Sequence, residues 1–162
     1  MACPAFVALG SNLDDPRKHV LQAMDELSKL PGTQVLRRSS LYRTAPVGEP
    51  DQPDFINAVV QLDTALDPLE LLDGLLAIER RHGRVRSRRN APRTLDLDLL
   101  LYDDRTFDTP GLQLPHPRMH ERAFVLLPLT EIAPEASIPG RGPVAALLPG
   151  VAGQRLVRVD AD

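Results

Sequence analysis

Two acids, Asp96 and Asp98, stand in the run Arg93-Thr94-Leu95-Asp96-Leu97-Asp98-Leu99-Leu100-Leu101, where acid and leucine alternate. A period of two is the period of a strand, so both carboxylates leave one face while leucines enter a core on the other. Strand side chains two apart are roughly 6–7 Å from each other, close enough for both acids to share hard divalent cations. A wet surface strand has no need of five leucines, and the pattern points to a metal site. Just upstream lie Arg84, Arg86, Arg88, Arg89 and Arg93, in a stretch that holds Gly83 and Pro92 and has no apolar periodicity. That composition predicts a loop. Forked guanidinium groups running into paired acids make the two halves of a polyphosphate site, with cations neutralising the oxygens from one side and arginines clamping them from the other.

Three more groups carry possible chemistry. Phe55 and Asn57 share one face of an alternating stretch, so a ring and a carboxamide could stack on and hydrogen-bond to a flat polar heterocycle. The same pair also suits plain packing beside a satisfied amide. Phe124 could cover the other face of that ligand or belong to the core. His116 sits in Leu114-Pro115-His116-Pro117, a loop stiffened by two prolines, with Arg122 close behind. Imidazole and guanidinium together suit phosphate contact, and a loop-bracing histidine is the alternative. His19, His82 and His120 read as helix-surface residues.

These groups need elements to hold them. Residues 5–9 form a short apolar run stopped by Gly10-Ser11-Asn12, which reads as a buried first strand and a turn. Asp15-Pro16 offers an N-cap and first-turn proline to a helix whose apolar face is Val20, Met24, Leu27 and Leu30. Residues 35–42 read as one strand near an edge, and residues 45–53 as a proline-rich loop. Residues 55–62 alternate, with Ile56, Ala58, Val60 and Leu62 on one face. Asp67-Pro68 with Glu70 predicts a capped second helix through Leu71, Leu72, Leu75, Leu76 and Ile78 to Gly83. The acidic strand follows, then a short strand at 112–114 and a helix from about Met119. The order strand, helix, strand, strand, helix, strand is the split βαβ arrangement. The expected fold is therefore α+β and ferredoxin-like, an antiparallel sheet with helices mainly on one face and the other face free for ligand. A single domain over 1–162 is expected, with the Gly/Pro-rich segment 139–162 less defined.

Composition narrows the function. The chain has 162 residues, 43% hydrophobic and 25% charged, which is ordinary globular usage and enough for a real core. A formal charge of −3 lacks the basic excess of a general nucleic-acid binder, so the arginine cluster is a local device. Cys3 is the lone cysteine and no apolar leader or membrane span is evident, so a cytoplasmic protein without membrane contact is expected, and a monomer. C-x-x-C, H-E-x-x-H, G-x-x-x-x-G-K-[ST] and G-x-G-x-x-G are all missing, which argues against zinc and against a P-loop.

Six blocks in order then make a specific pattern: residues 6–12, 40–46 and 51–58, Ile78-Glu79 through Gly83-Arg84-Val85-Arg86, Pro92-Arg93-Thr94-Leu95-Asp96-Leu97-Asp98, and Pro115-His116 to Arg122-Ala123-Phe124. Together, over about 6–135, they closely resemble the 6-hydroxymethyl-7,8-dihydropterin pyrophosphokinases of folate biosynthesis. The resemblance implies an enzyme that moves the terminal pyrophosphate of ATP to the pterin hydroxymethyl group and releases AMP. It implies that Asp96 and Asp98 hold two Mg2+ ions, that Arg84 and Arg93 grip the phosphates and stabilise transfer, and that Glu79, Arg86, His116 and Arg122 contact the nucleotide. Phe55 and Phe124 match the rings that sandwich the pterin; Thr44, Asn57 and the backbone at Val47 match its hydrogen-bonding partners. Asp96 or Asp98 could accept the hydroxyl proton. The chain departs from the family where Arg88-Arg89-Asn90-Ala91-Pro92-Arg93 stands for the common Arg-Trp-Gly-Pro-Arg, and where Pro117 stands for a Tyr.

The polar loops at 45–53 and 84–92 flank this site and are expected to act as lids. Two other readings remain at this level. Paired acids and arginines also serve two-metal phosphohydrolases, and a ferredoxin-like sheet also serves non-catalytic metabolite or RNA binding. RNA recognition wants several exposed aromatics, and this chain has four Phe and two Tyr.

Overall fold

The apolar run at the N-terminus is buried on both faces because it lies in the middle of a sheet. The computed structural model describes residues 2–45, 52–83 and 94–159. Its elements are β1 (Cys3–Ser11), α1 (Pro16–Leu27), β2 (Thr33–Arg38), β3 (Leu41–Thr44), β4 (Phe55–Thr64), α2 (Pro68–Arg81), β5 (Asp96–Tyr102), β6 (Phe107–Thr109), β7 (Leu112–Leu114), α3 (Ala123–Ile132), β8 (Ser137–Ile138), β9 (Gly142–Pro143), α4 (Val144–Leu147) and β10 (Leu156–Val159). The main sheet runs β10-β3-β4-β1-β5, with β2 also paired to β4, and all its pairings are antiparallel. This is the α+β, ferredoxin-like arrangement expected from the element order.

The two faces have different occupants. Val20, Met24 and Leu27 of α1 and Leu71, Leu75 and Ile78 of α2 pack on Val7, Leu9, Ala58, Val60 and Leu62. On α2, Gly74 leaves room for the side chain of Leu30, just after α1; a Cβ there would stand 3.0 Å from Leu30 Cδ2. At the start of α2 the expected capping box is formed, with Glu70 N–H donating to Asp67 Oδ1 at 2.8 Å and Asp67 N–H donating to Glu70 Oε1 at 3.0 Å.

The opposite face is not left bare. Phe6, Ala8, Val59 and Leu100 form a second core with Val125, Leu126 and Leu129 of α3 and with Val144 and Val151. The element order contains the split βαβ unit but not the returning α3, whose nearly all-round apolar surface needs a sheet to cover it. Segment 139–159 belongs to that cover, and β10 extends the sheet by pairing Leu156 with Thr44 and Val159 with Leu41.

Three local expectations are corrected. The single strand expected over 35–42 is two strands, because Ser39 Oγ accepts the Val59 N–H at 2.9 Å and a side chain replaces a rung of the ladder. Asp15 has φ 66° and makes no side-chain cap, so α1 starts on Pro16 without one. The helix expected from Met119 begins as a 3-10 turn at Met119–Glu121, and α3 proper starts at Ala123.

Candidate active site

Register brings the separate sequence signals onto one strip. On β1, Gly10 pairs with Asn57 of β4 on one side and with Asp96 of β5 on the other. One residue pair further along the same face, Ala8 pairs with Asp98. Two strand spacings separate Asn57 from Asp96, about 10 Å, which is the scale of a heterocycle joined to a phosphate chain. Strand alternation puts Gly10, Asn57, Asp96 and Asp98 on the face that further along carries Ala8, Val59 and Leu100. The α3 core therefore fills one end of this face and the candidate site takes the other.

The glycine makes the strip concave. A Cβ at residue 10 would lie 3.0 Å from Asn57 Oδ1 and 3.9 Å from Phe55 Cδ1. Asn57 is 5% exposed, and its Nδ2 donates to Thr44 Oγ1 at 2.7 Å, so the carboxamide is held in one orientation. Phe55, half-buried, opens β4 opposite Thr44. Asn12 and Gln52 were missed as candidates by sequence reasoning, where Gly10-Ser11-Asn12 reads only as a turn. Asn12 Nδ2 donates to Gln52 Oε1 at 3.0 Å and to Pro53 O at 3.1 Å, tying the end of β1 to the approach of β4.

Asp96 and Asp98 are both half-buried, while Leu95, Leu97 and Leu99 are buried, as alternation requires. Glu79 is 2% exposed and accepts the Leu97 N–H at 2.7 Å. From α2 it thus holds the backbone between the two acids on an edge strand.

The phosphate-side candidates come from the segment after β7. His116 N–H donates to Leu100 O at 2.9 Å, which docks the loop against β5 beyond the acids. The Arg118 N–H donates to His116 Nδ1 at 3.2 Å, so the neutral ring carries its proton on Nε2. Burial first, then the nearby Arg122 charge, lowers the His116 pKa to about 4, with Asp96 opposing them. The ring is a neutral donor at physiological pH. Arg122 lies over the Phe124 ring, 5.4 Å from its centroid, and Phe124 packs half-buried against the α3 core. His116, Arg122 and Asp96 thus fall within one electrostatic neighbourhood. Arg84, Arg86, Arg93 and Val47, and most of both expected lids, lie outside the described residues.

A family model for 7,8-dihydro-6-hydroxymethylpterin-pyrophosphokinase matches residues 6–134. The chain belongs to that family. A 2-amino-4-hydroxy-6-hydroxymethyldihydropteridine pyrophosphokinase of Pseudomonas aeruginosa is 51% identical to it over 134 residues, covering 83% of each chain. The pyrophosphokinase of Haemophilus influenzae is 42% identical over 156 residues, covering 96% of this chain and 98% of the relative. Among solved structures, wild-type Plasmodium falciparum HPPK-DHPS with pteroate matches 98% of this chain with a TM-score of 0.75 at 15% identity, a likeness of fold. This pyrophosphokinase-family chain spans about half of that longer protein, 48% of it. Among the described residues no helix is long and apolar enough to cross a membrane.

Proposed function

We propose that the chain transfers pyrophosphate from ATP to the hydroxymethyl group of 6-hydroxymethyl-7,8-dihydropterin and releases AMP, the reaction of its family in folate biosynthesis. The observation that carries this reading is the double pairing of Gly10, which puts the ring-and-carboxamide pair and the acid pair on one strip of sheet. Phe55 and Phe124 hold the pterin ring, and Asn57, Thr44 and the Val47 backbone read its polar edge. His116 Nε2–H and Arg122 contact the nucleotide phosphates, with Arg84, Arg86 and Arg93 closing the charge balance. Glu79 acts on the nucleotide side through the β5 backbone that it anchors.

The acid pair suits Mg2+. Its donors are hard oxygens, and among the described residues no cluster of three His, Cys, Asp or Glu side chains forms a closed protein cage. Mg2+ commonly uses one or two carboxylates and completes its shell with phosphate oxygens and water. Asp96 and Asp98 would hold the ions, two in this reading, which supply neutralisation of charge on the transferring group. The protein's own work is positioning: the strip lines the hydroxymethyl oxygen up with the β-phosphorus, while donors hold the phosphate oxygens in place.

Nucleotide product analysis with ATP, Mg2+ and 6-hydroxymethyl-7,8-dihydropterin, run beside a sample without pterin, tests the proposal. AMP made only with pterin is the expected result. ADP, or AMP made equally in both samples, would refute pyrophosphoryl transfer and point to a phosphohydrolase.

A further inference from the structure

Two histidines expected to be ordinary surface residues meet between the helices. His19 Nδ1 of α1 lies 2.6 Å from Nδ1 of His82, the residue that caps the C-terminus of α2. The rings are 4.9 Å apart between centroids and inclined at 64°. The His82 side chain is only 6% exposed, and its Nε2 bonds to Glu26 Oε1, whose other oxygen is 3.6 Å from Arg81 Nε. The contact borders an open cleft of about 470 Å³ that also includes Gln22, Asp25 and Lys29. It lies on the helix layer, with the sheet between it and the acid strip.

Proton placement follows from the carboxylate. Facing Glu26, His82 Nε2 must carry hydrogen, which leaves Nδ1 as a lone-pair donor when the ring is neutral. That lone pair and His19 Nδ1 converge on one point, where either a single proton or a metal ion can sit. A carboxylate on the far nitrogen of a ligating imidazole is the usual outer-sphere arrangement in metal sites, where it fixes the tautomer and raises basicity. Nitrogen–metal bonds of about 2.0–2.1 Å at a tetrahedral angle put the two nitrogens about 3.3 Å apart. The pair must therefore open by less than 1 Å, which a half-exposed His19 permits.

We propose that His19 and His82 form a binding site for a borderline divalent transition ion of the Zn2+ class, separate from the Mg2+ acids. Imidazole nitrogen selects such ions over Mg2+, which prefers oxygen. No third His, Cys, Asp or Glu converges there among the described residues. Water completes the shell, with the Gln22 amide one turn along α1 within reach. Occupancy pins the end of α2, two residues before Arg84, to α1.

Zn2+ titration of the full chain in excess Mg2+, followed by calorimetry, tests the site. One Zn2+ per chain is expected, with a higher Tm. Glu26→Gln, which keeps both ligands, should weaken binding by about 10–100-fold, and His19→Gln at least as much. Asp96→Asn should leave Zn2+ binding unchanged. His19 is the more exposed partner, so its variant tests the site even if a His82 variant fails to fold. Equal Zn2+ affinity in wild type and His19→Gln, or loss of Zn2+ only in Asp96→Asn, would overturn the proposal.

Discussion

Replacing Gly10 with alanine separates folding from ligand binding. Gly10 has no left-handed φ, so alanine is conformationally at ease there. Reducing the freedom of the unfolded chain then favours the variant by about 0.4–1 kcal/mol. Against this, the new Cβ stands 3.0 Å from Asn57 Oδ1, closer than packing allows without a shift of a few tenths of an ångström. Asn57 cannot give freely, because its Nδ2 is bonded to Thr44 Oγ1 at 2.7 Å. Weakening that bond costs about 0.5–1.5 kcal/mol. The two effects nearly cancel, and Tm should stay within a few degrees of wild type. Binding has no such compensation. The methyl group fills the concave strip and turns the carboxamide, so loss of one well-made ligand hydrogen bond, about 1.4 kcal/mol, weakens pterin affinity by about tenfold. Calorimetric titration with the pterin, alongside thermal unfolding, reads both quantities. Unchanged pterin affinity with unchanged Tm would refute the placement of the ring beside Gly10.

Asp96→Asn and Asp98→Asn each keep size and polarity but remove an anionic oxygen from the acid pair. AMP formation should fall by about 100-fold or more while the far-UV spectrum and pterin affinity hold, and undiminished turnover would exclude the acid pair from the reaction. For His116 the sign is set by a folded-state pKa lowered to about 4, chiefly by burial and then by Arg122. The unfolded chain takes up this proton near the ordinary value of about 6.5, so folded stability is intact above that pH and declines as pH falls towards 4. His116→Gln should flatten that decline in thermal unfolding followed against pH, and an imidazole resonance titrating near 6.5 would contradict the burial. Glu79→Ala strips the acceptor from the Leu97 N–H and should cost about 1–3 kcal/mol, read as a lower denaturation midpoint. Glu79→Gln retains an acceptor and should lose less.

What the sequence determined follows from local rules. Alternation in residues 95–101 is enough to put Asp96 and Asp98 on one face, because strand side chains have a fixed period of two. Asp67 and Glu70 form their box for the same reason: capping needs only residues three apart. Only the tertiary structure decided which strands lie beside each other, and so that Gly10 stands between Asn57 and Asp96. Strand order and register are long-range pairings that no local period encodes. The covering of the second face by α3, the splitting at Ser39 of the strand expected over 35–42, and the meeting of His19 with His82 are of that kind. Each depends on residues far apart in the chain, whose approach is set by packing of the whole sheet and its helices.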